Sequence, residues 1–299
     1  MAEQEVAADG YRRAIARLET LHPAPALAAC VVETLHPAAA GIANPLIDYA
    51  VHRFPDRDVL ADYVRRARGL ATLQARFDAD PRAETLGDPG AVVDRDLYNI
   101  ALLLSIPLTN HRFEIMAQLD AFVAGCPGPN GRIASIGTGT GFELARIARL
   151  PPGWTIESYD IEESVQADAR AFLEYFGIRR PVAWGREFPL VSPPPEYCGR
   201  YDALVLCELL EHRPDPAAAL RSVRACLAAG ARAFVTMAIN IAQEDHVYLY
   251  PDIASCRDQL RDSGLRTHSE WITPQTTLPP GPDRERNFRK GNYIAVVSA

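Results

Sequence analysis

The sequence has no cysteine framework: Cys30, Cys126, Cys198, Cys207, Cys226 and Cys256 form no CxxC pair and no regular spacing, so structural disulfides are not expected. It also lacks any apolar run approaching the roughly 20 residues of a membrane helix. Charge, proline or histidine interrupts each candidate stretch, and no membrane partner is expected. A surplus of positive charge is missing too. Against 38 acidic residues stand 31 basic ones, a formal charge of −7. Such a field does not favour polyanions, and nucleic acid is not an expected partner. The chain starts on acidic residues rather than on a basic run followed by an apolar core, so a cytoplasmic location is expected. What is present is apolar mass: 48% of the 299 residues are hydrophobic, enough for one or two filled cores and an enzyme.

Two regions differ in pattern. Up to residue 126 the chain reads as helices separated by proline-containing turns, with helices predicted at 8–19, 25–35, 56–75, 93–105 and 108–124. From Asp58 to Phe77, Leu60, Tyr63, Val64, Leu70, Leu73 and Phe77 gather on one broad face, with Arg65, Arg66, Arg68 and Arg76 as polar cover. That face needs a partner, and the region 1–126 is expected to act as a lid, a homodimer interface or both. The composition then changes to the turn-forming CPGPNGR at 126–132, where a domain boundary is expected. Beyond it, strands at 133–136, 155–159, 202–207, 232–238 and 292–298 alternate with helices at 142–150, 162–176, 216–228 and 252–263. The expected fold of 127–299 is α/β, a sheet covered by helices. Val165, Ala169, Phe172 and Phe176 mark the inward face of one helix. Asp215 and Pro216 start the next, Leu220, Val223 and Leu227 face the sheet, and Gly230 offers its stop.

The most informative segment is Ile133 to Glu143, where an apolar strand runs directly into Gly137, Gly139 and Gly141 and then a helix. Alternate glycines let the backbone turn tightly and keep side chains from between its amides and a ligand. The next strand ends at Asp160, and carboxyl ends of adjacent strands in an open α/β sheet line one crevice. Asp160 can accept two hydrogen bonds from a ribose diol, or cap the helix that follows. The glycines miss the GxGxxG dinucleotide pattern, and there is no GxxxxGK[ST] phosphate loop. What remains is a nucleoside ligand without a pyrophosphate cradle.

Through SIGTGTGFE at 135–143, SYDIEES at 158–164, YDALVLCELLEH at 201–212 and AAGARAFVT at 228–236, the sequence resembles the class I S-adenosylmethionine-dependent methyltransferases of small-molecule type over residues 131–299. The resemblance implies a Rossmann-like, mostly parallel sheet with an antiparallel last strand, for which 292–298 is the candidate, behind a helical N-terminal region. It implies S-adenosyl-L-methionine as cofactor, with Gly137, Gly139 and Gly141 against its methionine part and Asp160 on its ribose. Two positions depart from the family. The place two residues before the first glycine, commonly acidic, is Ser135. The third strand segment, Val182 to Glu187, offers Glu187 as the acidic group for the adenine, with Ala183, Trp184 or backbone amides as alternatives. In Asn110 to Glu114, ahead of the glycine domain, Arg112 is the candidate partner for the cofactor carboxylate, or part of an ordinary charged helix start.

A sulfonium methyl is already activated, so the main task is to align the acceptor and exclude water. Where the acceptor needs a base, the candidates follow the strands: His212, with Glu208 and Glu211 beside it, and His246, with Tyr248 and Tyr250. These carboxylates and imidazoles could also hold a divalent ion, but no HExxH or other compact ligand motif is present, and no metal is expected. Between Thr273 and the final strand lies a long connection dense in charge, with Arg284, Arg286 and Arg289. A guanidinium offers two parallel donors to a carboxylate or phosphate, so the expected acceptor is a small anionic metabolite. Loop arginines are also commonly just solvated. The alternatives are aminocarboxypropyl transfer or intramolecular cyclisation, both releasing methylthioadenosine, and a non-catalytic cofactor-binding scaffold.

Overall fold

The computed structural model describes residues 2–79, 94–275 and 288–299. In chain order the elements are α1 (Ala2–Leu21), α2 (Pro23–Leu35), α3 (Ala39–Arg53), α4 (Val59–Ala79), α5 (Arg95–Leu108), α6 (Asn110–Ala124), β1 (Asn130–Ile136), α7 (Phe142–Ile147), β2 (Gly153–Tyr159), α8 (Glu163–Tyr175), β3 (Val182–Gly185), β4 (Tyr201–Leu206), α9 (Pro216–Cys226), β5 (Leu227–Ile239), α10 (Ile253–Asp262), β6 (Arg266–Pro274) and β7 (Gly291–Ser298). They divide into two compact units. One comprises Met1–Met116 with Ala242–Asp245 and Pro274–Phe288, the other Ala117–Ile241, His246–Thr273 and Arg289–Ala299. No helix among the described residues is long and apolar enough to cross a membrane.

The first unit is helical, as the pattern predicts, and contains α3, which the sequence reading missed. Gly41 and Pro45 hide that helix, since proline removes an amide donor and clashes with the preceding turn. Its buried residues Ala39, Ala43, Leu46, Tyr49 and Ala50 nevertheless follow a helical spacing. The buried Tyr11 hydroxyl donates to the Pro107 carbonyl at 2.6 Å and so ties α1 to α5. On α4 one expected surface residue turns inward. Arg66 is buried and donates through both terminal nitrogens to Glu244, at 2.7 and 2.8 Å. This bidentate pairing supplies the charge compensation that a buried guanidinium requires. Arg65, Arg68 and Arg76 remain exposed, as expected.

The second unit is a seven-stranded sheet in the order β3-β2-β1-β4-β5-β7-β6. Strands β1 to β5 pair in parallel, and β7 runs antiparallel to β5. Every residue of β7 is buried, which explains its almost unbroken apolar sequence. Asp215 caps α9 by accepting from the Ala218 amide at 2.8 Å, with Pro216 in the first turn. That helix stops earlier than predicted. Leu227 already begins β5, and Gly230 lies inside the strand with φ of 80°. A register shift between Tyr201 and Ala203 on β4 absorbs the extra residues of β5. The inward face of α8 is Gln166, Ala169, Phe172 and Leu173, so Val165 and Phe176 sit at its margin.

Candidate active site

The three glycines after β1 perform separate tasks. Gly137 has φ of 80°, and its amide donates to the Tyr159 carbonyl at 2.9 Å. The next amide, of Thr138, donates to Asp160 Oδ2 at 2.9 Å, and the Thr138 hydroxyl shares a 2.7 Å bond with Ser158. The loop is thus fastened to the carboxyl end of β2. Gly141, at φ of 87°, starts α7, and a Cβ there would stand 2.8 Å from Ala169 Cα on α8. Only a hydrogen side chain permits that approach. At Gly139, φ is 53° and a Cβ would meet nothing within 4 Å. This is the open part of the floor, where the backbone can face a ligand.

Asp160 takes the helix-start role weighed for it and keeps acceptor capacity for the other. Its Oδ1 accepts from the Glu162 amide at 3.0 Å, at the start of α8, while Oδ2 holds Thr138. A carboxylate has about four acceptor sites, so two remain for a ribose diol. Gln166 supports the same junction, donating to the carbonyls of Asp160 at 3.0 Å and Gly185 at 2.8 Å. The sequence reading missed this residue, although a glutamine on the inward face of an amphipathic helix is itself a signal. Trp184 is covered by the Arg170 guanidinium, 4.4 Å from the ring centroid. Glu187 is exposed and lines a cleft with Leu190, Ser192, Tyr197 and Arg213.

A second group of side chains follows β4 and β5. Gly137 and the segment after β4 are in direct reach, because a Cβ on Gly137 would lie 3.4 Å from Leu209 Cδ1. Glu208 adopts φ of 51°, a left-handed conformation that costs a non-glycine residue about 1–3 kcal/mol. Its Oε1 accepts from the Thr236 hydroxyl at 2.6 Å and from Asn292 Nδ2 at 2.8 Å, so β5 and β7 together fix the carboxylate. The turn Leu210–His212 then brings Glu211 inward to 1% exposure. The Glu211 carbonyl accepts from the amides of Val247 and Tyr248, both at 2.9 Å. His246 is buried beside it, with Nδ1 2.9 Å from the Ile241 carbonyl, and its ring lies 4.9 Å from that of His212. The two histidines predicted from separate segments are therefore neighbours.

Tyr248 and Tyr250 both bond Gln259, and Tyr250 has no exposed surface, which makes it a packing group. Arg112 lies on the first turn of α6, in the helical unit. Arg289 is exposed just before β7, while Arg284 and Arg286 lie outside the described residues.

An acidic network missed in the sequence stands on β2. Glu157 is buried and accepts from Arg132, from Arg200 at 2.9 Å, and from the hydroxyls of Tyr159 at 2.7 Å and Tyr201 at 2.8 Å. Burial alone pushes this carboxyl up. The four donors outweigh that effect and bring it down to about 2. The signal was available, since an acid amid the apolar residues of an inner strand requires partners.

Residues 108–276, more than half of the chain, match the family described as methyltransferase domain. No curated protein matches the sequence. Among solved structures, a geranyl diphosphate methyltransferase bound to S-adenosylmethionine is 17% identical, with a TM-score of 0.48 over 72% of this chain and 93% of its own. The cyclase SpnF is 16% identical, with a TM-score of 0.47 over 79% of this chain and 95% of its own. An S-adenosylmethionine-dependent methyltransferase from Methanosarcina mazei is 12% identical, with a TM-score of 0.45 over 59% and 95%. With the family match spanning the glycine loop, Asp160 and both histidines, the chain belongs to the methyltransferase domain family and is a class I S-adenosylmethionine-dependent enzyme.

Proposed function

We propose that the enzyme transfers the methyl group of S-adenosylmethionine to a small anionic metabolite held beside His212 and His246. The observation that carries this reading is the closeness of the glycine loop to the segment after β4, where a Cβ added to Gly137 would lie 3.4 Å from Leu209 Cδ1. In this reading Gly139 and Asp160 hold the cofactor, and Arg112 and Glu187 are its further candidate contacts. The acceptor is activated at the neighbouring Glu211, His212 and His246. Glu208 and Tyr248 are expected to shape the acceptor space, and Arg284, Arg286 and Arg289 supply the positive charge that selects an anion.

The test is a metabolite screen with S-adenosylmethionine, followed by mass spectrometry of both products. Methyl transfer yields S-adenosylhomocysteine and an acceptor heavier by one methylene unit. Methylthioadenosine would instead mark attack on the methionine chain, and cofactor binding without turnover on any acceptor would mark a scaffold. Turnover restricted to neutral acceptors would remove the anionic part of the proposal.

A further inference from the structure

Glu211, His212 and His246 place one ligand atom each within 4.8 Å of the others, and they are the one such cluster among the described residues. Three features set this group apart from a chance meeting of surface side chains. Two of its members are buried, Glu211 at 1% and His246 at 5% exposure, where a carboxylate requires compensating charge. The two contributing segments are locked to each other through the backbone, by the paired amides of Val247 and Tyr248 on the Glu211 carbonyl. His246 is also oriented by a backbone carbonyl. Because the Ile241 carbonyl can only accept, Nδ1 carries a proton, and in the neutral ring Nε2 is then the nitrogen with the lone pair. A backbone carbonyl holding one ring nitrogen so that the other can bind is the usual support of a ligating imidazole.

We propose that Glu211, His212 and His246 form a mononuclear site for a first-row divalent cation, and that the cation binds an anionic oxygen of the acceptor. Two imidazoles and one carboxylate suit a transition-metal dication better than magnesium or calcium, which favour all-oxygen sets. Three protein ligands leave coordination positions open for substrate. One carboxylate and one dication carry a net positive charge, which attracts an anion without any contribution from the arginines before β7. The role of the cation rests on the methyltransferase reading. A hydroxyl bound to it releases its proton to solvent more readily. The oxygen pair then forms the bond to the methyl carbon as the carbon–sulfur bond breaks. That bond's electrons pass to sulfur, and the sulfonium becomes a neutral thioether. This departs from the expectation drawn from the sequence, where the ligands fall in two separate segments and form no compact motif.

The experiment uses the full chain, freed of any affinity tag and stripped with a chelator. Cobalt(II), manganese(II) and zinc(II) are titrated by calorimetry, bound metal is measured by elemental analysis, and cobalt is followed by its visible absorption. About one equivalent should bind, with a visible cobalt band and a raised Tm. His246→Ala, Glu211→Gln and His212→Gln should each weaken binding at least about 100-fold and abolish the band. S-adenosylmethionine affinity, measured on the same samples, reports whether each variant is folded. His212 is only half-buried, so His212→Gln is the variant whose fold is least at risk. Wild-type protein that binds the cofactor but takes up no stoichiometric cation overturns the metal site and leaves the methyltransferase reading intact. Cation uptake unchanged in a folded His212→Gln variant also overturns it. Stoichiometric metal on a chain that binds no S-adenosylmethionine would leave the site standing and overturn the methyltransferase reading.

Discussion

Gly139 and Gly141 lie two residues apart in one loop, yet their alanine variants should fail in different ways. Both have positive φ, 53° and 87°, so each substitution places an L residue in the left-handed region, at about 1–2 kcal/mol. At Gly141 the added Cβ would also stand 2.8 Å from Ala169 Cα and 2.9 Å from the Ala169 carbonyl oxygen, both backbone atoms. Helix α8 must move, and overpacking of this kind adds about 1–3 kcal/mol. Gly141→Ala should therefore lose about 2–5 kcal/mol in total, whereas Gly139→Ala, with nothing in its way, should lose only the backbone term. At roughly 2–4 °C per kcal/mol for a unit of this size, the expected falls in Tm are roughly 4–20 °C and 2–8 °C. Cofactor binding should follow the opposite order in its directness. The Gly139 Cβ would project into the open floor and lower S-adenosylmethionine affinity at least about tenfold, or 1.4 kcal/mol. Saturating cofactor, which stabilises the wild type by linkage, should then raise the Tm of Gly139→Ala less than that of the wild type. Thermal melts with and without cofactor, joined to calorimetry, measure both quantities. Equal loss of stability in the two variants, or wild-type affinity in Gly139→Ala, would refute the division of labour within the loop.

Asp160→Ala should weaken S-adenosylmethionine binding, measured by calorimetry, because each charge-assisted bond to the ribose contributes about 1.5–3 kcal/mol. Part of the loss will come from the loop, since Thr138 and Glu162 also lose their acceptor. His212→Ala and His246→Ala should lower kcat while leaving cofactor affinity nearly unchanged, a split read by steady-state kinetics beside calorimetry. Glu157 should dominate acid sensitivity. Its folded pKa of about 2 lies below the ordinary value near 4.5, so its stabilisation is complete above about pH 4.5 and is lost as pH falls towards 2. Tm measured across that range should fall less steeply in Glu157→Gln. At neutral pH the same variant should be destabilised by about 3–5 kcal/mol, the usual cost of removing one partner from a buried ionic network.

The legible parts of the sequence were those whose chemistry is local. Gly137, Gly139 and Gly141 announce a backbone that must enter the left-handed region, and all three do. Asp160 follows a strand of predictable extent, and its register beside β1 is set by the parallel pairing of Ile136 with Tyr159. Asp215 and Pro216 start a helix by rules that operate within four residues. The misses involve longer range. Gly41 and Pro45 obscured α3, because local propensity there opposes a helix that the packing of Leu46 and Tyr49 favours. Arg66 reads as surface cover in the sequence because its partner, Glu244, is far away along the chain.

The same distinction explains why the two halves of the site differ in legibility. The cofactor half is a short, continuous piece of backbone, and backbone conformation leaves its mark in residue type. The proposed acceptor half is assembled by the sheet order. Since β4 lies between β1 and β5, and β7 follows β5, the residues after β4 face neighbours contributed from positions 236, 246 and 292. No spacing rule connects those numbers. Glu208 shows the consequence most directly. In sequence it is one acid of a CELLEH run, whereas in the fold it holds a strained backbone conformation that Thr236 and Asn292 stabilise from two other strands. Glycine would relieve that strain and remove the carboxylate. A non-glycine residue at such a position is held there by its side chain, through Thr236 and Asn292, and in the proposed reading that strain lies on the acceptor side as the glycines lie on the cofactor side.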